Sequence, residues 1–407
     1  MSTTEAPVSV PEAESRLEDL PLDWGRERLP LERAAGRVLA GPLCADRDFP
    51  PFDRVAMDGI AVSSVALLEG RREFTVCGIQ GAGEVPLAIE DLADAVEIMT
   101  GAVLSTGCDT VIPVEDLERG LTGFRLKPGV QARPGQHIHA AGSDARAGDL
   151  LLHPGRLLHG PALAAAASVG ATTLEVVRRP RIAILATGSE LVDVSQRPAA
   201  HQIRVSNLSA LQAGLELDGH TPTWCGRVSD ERTLMGRTLQ GLLERHEILV
   251  LSGGVSMGRY DHVPGLLQEL DCRLLFHGVR QRPGRPLLAA VGPVGQLVLA
   301  LPGNPVTAVI CLHRYLLPLL RRREGRPPLA RTARLIRPVH WGRPLALFLA
   351  TGVDTGPDGR LEAAPLPSGG SGDVARLAES DGFLELAEGA AGWEAGDLAT
   401  FRPWGPR

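Results

Sequence analysis

The spacing of apolar and polar residues changes character several times along the chain. Residues 1–12 are polar, acidic and broken by prolines, a pattern that predicts a flexible tail. Residues 13–40 carry apolar positions at partly helical spacing and end at Gly41-Pro42. From 43 to about 150 the period shortens. Runs such as Glu73 to Ile79 and Val96 to Met99 stand between the glycine turns Gly81-Ala82-Gly83 and Lys127-Pro128-Gly129, which predicts a small strand-rich domain. Pro161 to Val169 reads as an alanine-rich helix closed by Gly170.

Residues 180–320 alternate strand, loop and helix. Strands are predicted at Arg181 to Ala186, Thr223 to Val228, Ile248 to Ser252, Arg273 to Phe276, Leu287 to Val291 and Gln296 to Leu301. Ser206-Asn207 is placed to cap a helix with Leu208, Leu211 and Leu215 on one face, and Asp230 stands at a second N-cap position. Asp261 precedes a short helix, and Pro305 opens another that reaches about Leu320. Such alternation implies a three-layer α/β fold around a mostly parallel sheet. Arg326-Pro327-Pro328 reads as a linker, and residues 330–407 as short strands of a small β-barrel or sandwich.

The pattern therefore predicts a multidomain α/β chain. Its parts are a tail (1–12), a helical and linker segment from 13–45 and 147–179, a small β-rich domain (46–146), a central α/β domain (180–325) and a C-terminal β domain (330–407).

Composition narrows the function. The chain has 407 residues, and at about 100–200 residues per domain that is two to four domains. Glycine (47) and proline (32) are abundant and aromatics are only 4%, yet 44% of residues are hydrophobic, so these breakers punctuate loops of a packed protein. The net charge of -6 argues against a general nucleic-acid binder. The one basic run, Arg321-Arg322-Arg323, suits a helix C-terminus. Cys44, Cys77, Cys108, Cys225, Cys272 and Cys311 form no CxxC pair. Neither a signal peptide nor a membrane-spanning stretch is apparent, so the cytoplasm is the expected location, with free thiols.

In an open α/β sheet, ligands bind outside the carboxyl ends of the strands. Four loops leave strands there: TGSE (187–190), SGGVSMGRYD (252–261), RPGRP (282–286) and LPGNP (301–305). Together they suggest one anion-binding face. The SGGVSMG backbone can turn its N–H groups inward as a phosphate nest, though it is not a P-loop and a plain strand-to-helix turn is the simpler alternative. Arg282 and Arg285 flank a rigid Pro-Gly turn and suit a tetrahedral oxyanion, or are merely exposed loop arginines. Glu190, Asp230 and Asp261 come from three strand ends and could share Mg²⁺ with a phosphate; otherwise Asp230 caps a helix and Glu190 is a solvated acid. In the small domain, PPFDRVAMDG (50–59) offers Asp53 and Asp58, the latter at an Asp-Gly turn, and Thr100-Gly101 follows a strand.

PPFDRVAMDG, IMTGA (98–102), TGSEL (187–191), SGGVSMGRYD, RPGRP and LPGNP, in this order over about residues 15–405, resemble the molybdopterin molybdenumtransferase family, called MoeA in bacteria and similar to the gephyrin E domain. The resemblance implies a central domain of the molybdopterin-binding type. It implies a Mg²⁺-dependent reaction in which molybdate is inserted into adenylylated molybdopterin and AMP is released. It also implies a homodimer whose active site joins the α/β domain of one subunit to the N-terminal domain of the other. Contacts with the adenylyltransferase and with molybdoenzymes or their chaperones fit such a role, whereas nucleic acid and membrane do not. Carried over by position, the functional residues are Asp58, Thr100, Glu190, Asp230 and Asp261. Of these, Asp261 with Asp230 or Glu190 would hold the metal. Thr187, Gly188, Ser252, Gly253, Gly254, Ser256, Pro302, Gly303 and Asn304 would bind substrate, and Arg282, Arg285 and Ser371 the molybdate.

The chain departs from the family pattern in four places. RPGRP replaces KPGKP, Ser189 stands where an acid is usual, and His139 and Ala350 stand where arginines are usual. Arg343 and Arg376 are candidate replacements near the oxyanion. Two other functions fit parts of the chain: a molybdopterin adenylyltransferase, which would need neither flanking domain, and a non-catalytic paralogue acting as cofactor scaffold or carrier.

Overall fold

The computed structural model describes residues 6–255, 261–367, 370, 372–389 and 392–405. The chain forms two compact units. One is Arg28–Val176; the other combines the residues through Glu27 with those from Val177 onward.

The N-terminal stretch is not a tail from residue 8 on. Helix α1 (Val10–Glu18) starts inside it, with the Ser9 side chain accepting from the Glu12 N–H at 3.2 Å and proline in the first turn. Val8 pairs with Val279, and Val10, Ala13 and Leu17 are buried in the core of the α/β domain. So short an apolar face gains its stability from long-range packing.

In the Arg28–Val176 unit, strands β1 (Gly59–Val62), β2 (Glu73–Gln80), β3 (Asp94–Ile98), β4 (Thr110–Pro113), β5 (Leu117–Arg119) and β6 (Gly123–Leu126) form one mixed sheet in the order β4-β1-β3-β2-β6-β5. Ile60 and Val62 pack on one face and Ala61 on the other, the alternation a strand imposes. Helix α2 (Gly160–Ser168) packs in a separate small core with Leu39, Leu43 and Leu174.

The central sheet of the larger unit explains the continuous apolar runs. Its elements are β7 (Ile182–Thr187), α3 (Ser206–Leu217), β8 (Trp224–Val228), α4 (Arg232–Leu243), β9 (Ile248–Ser252), α5 (Val263–Glu269), β10 (Arg273–His277), β11 (Leu288–Val291) and β12 (Leu297–Leu301). The strand order is β8-β7-β9-β12-β11-β10. The first four run parallel, and β11 is antiparallel to both of its neighbours. Every residue of β7, β9 and β12 is buried, because both faces are covered. Ile182, Ile184 and Val250 face α3, while Ala183, Leu185 and Leu249 face α4.

Helix α6 (Pro305–Cys311) follows β12, passes through a wider π turn at Leu312–Leu316, and continues as α7 (Leu317–Arg323). Pro318 cannot donate a helical hydrogen bond and crowds the preceding turn, which the wider turn accommodates. The C-terminal strands β13 (Arg331–Leu335), β14 (Ala346–Thr355), β15 (Leu361–Pro365), β16 (Gly382–Leu386) and β17 (Leu398–Pro403) pair β14-β15-β13-β17-β16 and close through β14–β16 into a barrel, with α8 (Val374–Glu379) between β15 and β16. The two-residue strand Gln281–Arg282 adds to the barrel beside β14.

Candidate functional site

The parallel register brings the ends of β7, β9 and β12 level: Ala186 pairs with Ser252, and Ser252 with Leu301. The loops after them therefore emerge together. They line a cavity of about 390 Å³ holding Thr187, Gly188 and Glu190 of the first loop and Ser252, Gly253, Gly254 and Asp261 of the second. Asp230, Pro302, Gly303 and Asn304 complete the predicted set. Ser256 lies outside the described residues.

Gly253 has φ +100°, and a Cβ there would lie 2.5 Å from the Thr187 carbonyl oxygen, so only glycine lets the two loops approach. Its N–H donates to the Leu301 carbonyl at 3.0 Å. The buried Thr187 hydroxyl has no hydrogen-bond partner among the described residues, which leaves a polar group available to a ligand.

Asp230 does not cap helix α4; Glu231 does, accepting from the Thr233 N–H at 3.1 Å. Instead the Asp230 carboxylate accepts from the Ser189 N–H at 2.9 Å, while the Ser189 hydroxyl accepts from the Asp230 N–H at 3.2 Å. Ser189 thus ties the first loop to the Asp230 turn. Asn207 is no cap either. Its amide donates to the Ser252 hydroxyl at 2.7 Å and the Gly303 carbonyl at 2.8 Å, joining the second and fourth loops. Sequence reasoning missed this role because the only signal was an Asn where caps are common.

A second cavity, about 780 Å³, shares Pro286, Pro302 and Asn304 with the first. Arg282 and Arg285 line it, and among the described residues no acidic side chain does. Its RPGRP loop is fixed by buried Gln281, whose amide donates to the Pro283 carbonyl at 3.2 Å and whose carbonyl accepts from the Tyr315 hydroxyl. Ala350 is on this wall, and so are Trp341 and Arg343. Arg376 is not; it pairs with Glu379 at 2.7 Å on α8. Ser371 lies outside the described residues.

In the Arg28–Val176 unit, one Asp58 oxygen accepts from both the N–H and the hydroxyl of Thr100, each at 2.6 Å. The hydroxyl bond first, and the backbone bond with it, hold the Asp58 carboxyl below its ordinary pKa. Asp53 is structural, accepting from the Ala141 N–H at 2.8 Å. His139 contacts Arg54 through Nδ1 at 3.2 Å and Asp144 through Nε2 at 2.8 Å.

The α/β cavity carries oxygen donors of the kind that Mg²⁺ takes. Glu190, Asp230 and Asp261 offer carboxylate oxygens beside the Thr187 hydroxyl. Mg²⁺ commonly takes one or two carboxylates and leaves its other positions to water and phosphate. Among the described residues no three His, Cys, Asp or Glu side chains form a ready metal cage.

Three family models match the chain: the MoeA N-terminal region (domain I and II) over residues 8–170, a probable molybdopterin binding domain over 183–322, and the MoeA C-terminal region (domain IV) over 332–404. A molybdopterin molybdenumtransferase of Synechocystis sp. is 35% identical over 94% of this chain and 96% of its own. One from Bacillus subtilis is 31% identical over 96% and 92% respectively. Among solved structures, a molybdopterin biosynthesis MoeA protein from Pyrococcus horikosii superposes with a TM-score of 0.83 at 28% identity, covering 99% of this chain and 100% of its own.

Proposed function

The chain belongs to the MoeA family, and from that premise we propose that it is a transferase of molybdenum cofactor biosynthesis that inserts molybdate into adenylylated molybdopterin and releases AMP. One observation carries the finer reading. Two cavities share a wall, one built of backbone-rich loops and acids, the other carrying guanidinium groups and, among the described residues, no acid. The first suits a phosphate anhydride; the second suits a tetrahedral oxyanion.

In this reading the Gly253-Gly254 and Gly188 backbones cradle the phosphate and nucleotide, with the Thr187 and Ser252 hydroxyls as further contacts. Asn207 holds the second and fourth loops at fixed separation, so that both meet the same substrate. Arg282 and Arg285 bind molybdate beside it. Asp261, with Asp230 or Glu190, would hold Mg²⁺, which when bound neutralises phosphate charge and makes AMP a better leaving group. Asp58, kept ionised by Thr100, positions the pterin end, contributed by the partner subunit of a homodimer.

The test is molybdate-dependent AMP release from adenylylated molybdopterin. Asp261→Ala and Asp58→Ala are expected to abolish it while the protein stays folded. Wild-type-like turnover in both would remove these acids from the site. ATP consumption with free molybdopterin would instead mark an adenylyltransferase.

A further inference from the structure

Arginines of this unit are commonly paired with acids. Arg280 meets Glu388 at 2.8 Å, Arg402 meets Glu385 at 2.7 Å, and Arg314 meets Glu14 and Glu385 at 2.8 and 2.9 Å. Arg282, Arg285 and Arg343 have no carboxylate partner among the described residues, and all three line the same cavity.

Arg343 is held there by a tight turn. The Leu345 N–H donates to the Arg343 carbonyl at 2.8 Å, and the Trp341 indole N–H donates to the Leu345 carbonyl at 2.8 Å. The indole is thereby anchored by its polar end. The guanidinium carbons of Arg282 and Arg343 lie 5.7 and 5.9 Å from its ring centroid. The two arginines come from segments bonded to each other: Gln281–Arg282 runs parallel to Ala346–Leu347, and the Ala346 N–H donates to the Arg280 carbonyl at 3.0 Å. Two guanidinium groups beside one ring repel each other. The indole face offsets part of that repulsion, and an anion between them would offset more.

We propose that Arg343 is a third guanidinium of the oxyanion site, positioned by Trp341, and that it supplies the positive charge absent at Ala350 on the same wall. This rests on the reading that Arg282 and Arg285 bind molybdate. Arg343 is exposed on its turn, so its removal need not disturb the core.

Equilibrium dialysis of molybdate alone against the full chain tests it. Arg343→Ala is expected to weaken binding at least about tenfold, the loss of one charge-assisted contact. Arg343→Lys should recover only part, since an ammonium lacks the planar fork. Trp341→Leu should weaken binding less than Arg343→Ala, and Arg376→Ala should leave it unchanged. In turnover, Arg343→Ala should raise the molybdate KM with kcat largely kept, as a group that binds the ground-state ion does. If Arg343→Ala binds molybdate like the wild type while Arg282→Ala loses it, this proposal fails and the oxyanion reading stands. If Arg282→Ala and Arg285→Ala also bind like the wild type, the oxyanion reading fails, and the role of Arg343 with it.

Discussion

At the scale of single residues, the chemistry of the proposed site residues is set by one or two neighbours. Asp58 is the clearest case. Its folded-state pKa is lowered because the ionised form accepts two bonds from Thr100. A carboxylate needed in its charged form then stays active to lower pH. Thr100→Val removes the hydroxyl donor and keeps the backbone one. The Asp58 pKa should rise, and the acidic limb of the AMP-release profile should move to higher pH. An acidic limb that does not move would separate the Thr100 hydroxyl from the ionisation of Asp58. Asn207 makes a second residue-scale case. Asn207→Ala would leave the buried Ser252 hydroxyl and the Gly303 carbonyl short of a donor, at about 1–3 kcal/mol. Urea unfolding reads that loss, and activity should fall further than stability alone explains. Asp58, Asp230 and Ser252 were legible as residues of interest. Their partners Thr100, Ser189 and Asn207 lie about forty positions away in the chain, and only folding reveals the pairing.

Elements were the most legible scale. Strands buried on both faces leave unbroken apolar runs, and glycine or proline ends each of them. The loop after β9 shows why the glycines matter. Gly253→Ala forces a side chain into φ +100° and against the Thr187 carbonyl, so a loss of more than about 1 kcal/mol is expected. Gly241→Ala, inside α4, meets only the flexible end of Arg245 at 3.3 Å and should stabilise by up to about 1 kcal/mol. Opposite signs in urea melts check both; equal effects would contradict the conformational account. Some elements escaped the sequence pattern in whole or in part. Helical spacing was legible only from residue 13 although α1 begins at Val10, α8 lies in a stretch read as short strands, and the π turn at Leu312–Leu316 has the same composition as the helices around it.

On the scale of the whole molecule, buried charge holds distant segments of the larger unit together. Asp218, His220, Arg321, Glu324 and Arg326 form a buried network joining the end of α3 to the end of α7. The basic run read as a helix-end charge is more specific than that. Arg321 binds Asp218, Arg322 binds Glu18, and Arg323 binds the Glu18 and Leu20 carbonyls. Burial alone would raise the Asp218 and Glu324 pKa values, but His220 and the arginines hold both below normal. The stability they confer is present above the ordinary carboxylate range and lost as pH falls through the lowered values. His313 adds to this. Burial lowers its pKa from 6.5 to about 4, so the unfolded state binds the extra proton between those values and stability also falls with pH there. Urea stability should therefore decline in two stages below pH 6.5, and His313→Gln should flatten the first. A wild-type slope in that variant would exclude His313. Breaking the network by Asp218→Asn should cost about 3–5 kcal/mol at neutral pH, because buried cations lose their partner. The proposed homodimer has its own test at this scale. Inactive Asp58→Ala and Asp261→Ala chains, mixed under verified subunit exchange, should regain partial activity through hybrid sites; no regain would argue against a shared cleft.

The sequence by itself determined the strand–helix alternation of the central domain, its mostly parallel sheet, the glycine- and proline-rich loops that leave its strands and the family to which those loops point. Those properties follow from local periodicity and from the backbone demands of glycine and proline, which act within a few residues. The tertiary structure alone decided that α1 packs in the central core, that Asp230 and Asn207 tie loops rather than cap helices, and that Arg343 rather than Arg376 reaches the arginine-lined cavity. These depend on contacts between residues far apart in the chain, where no local pattern records the partner.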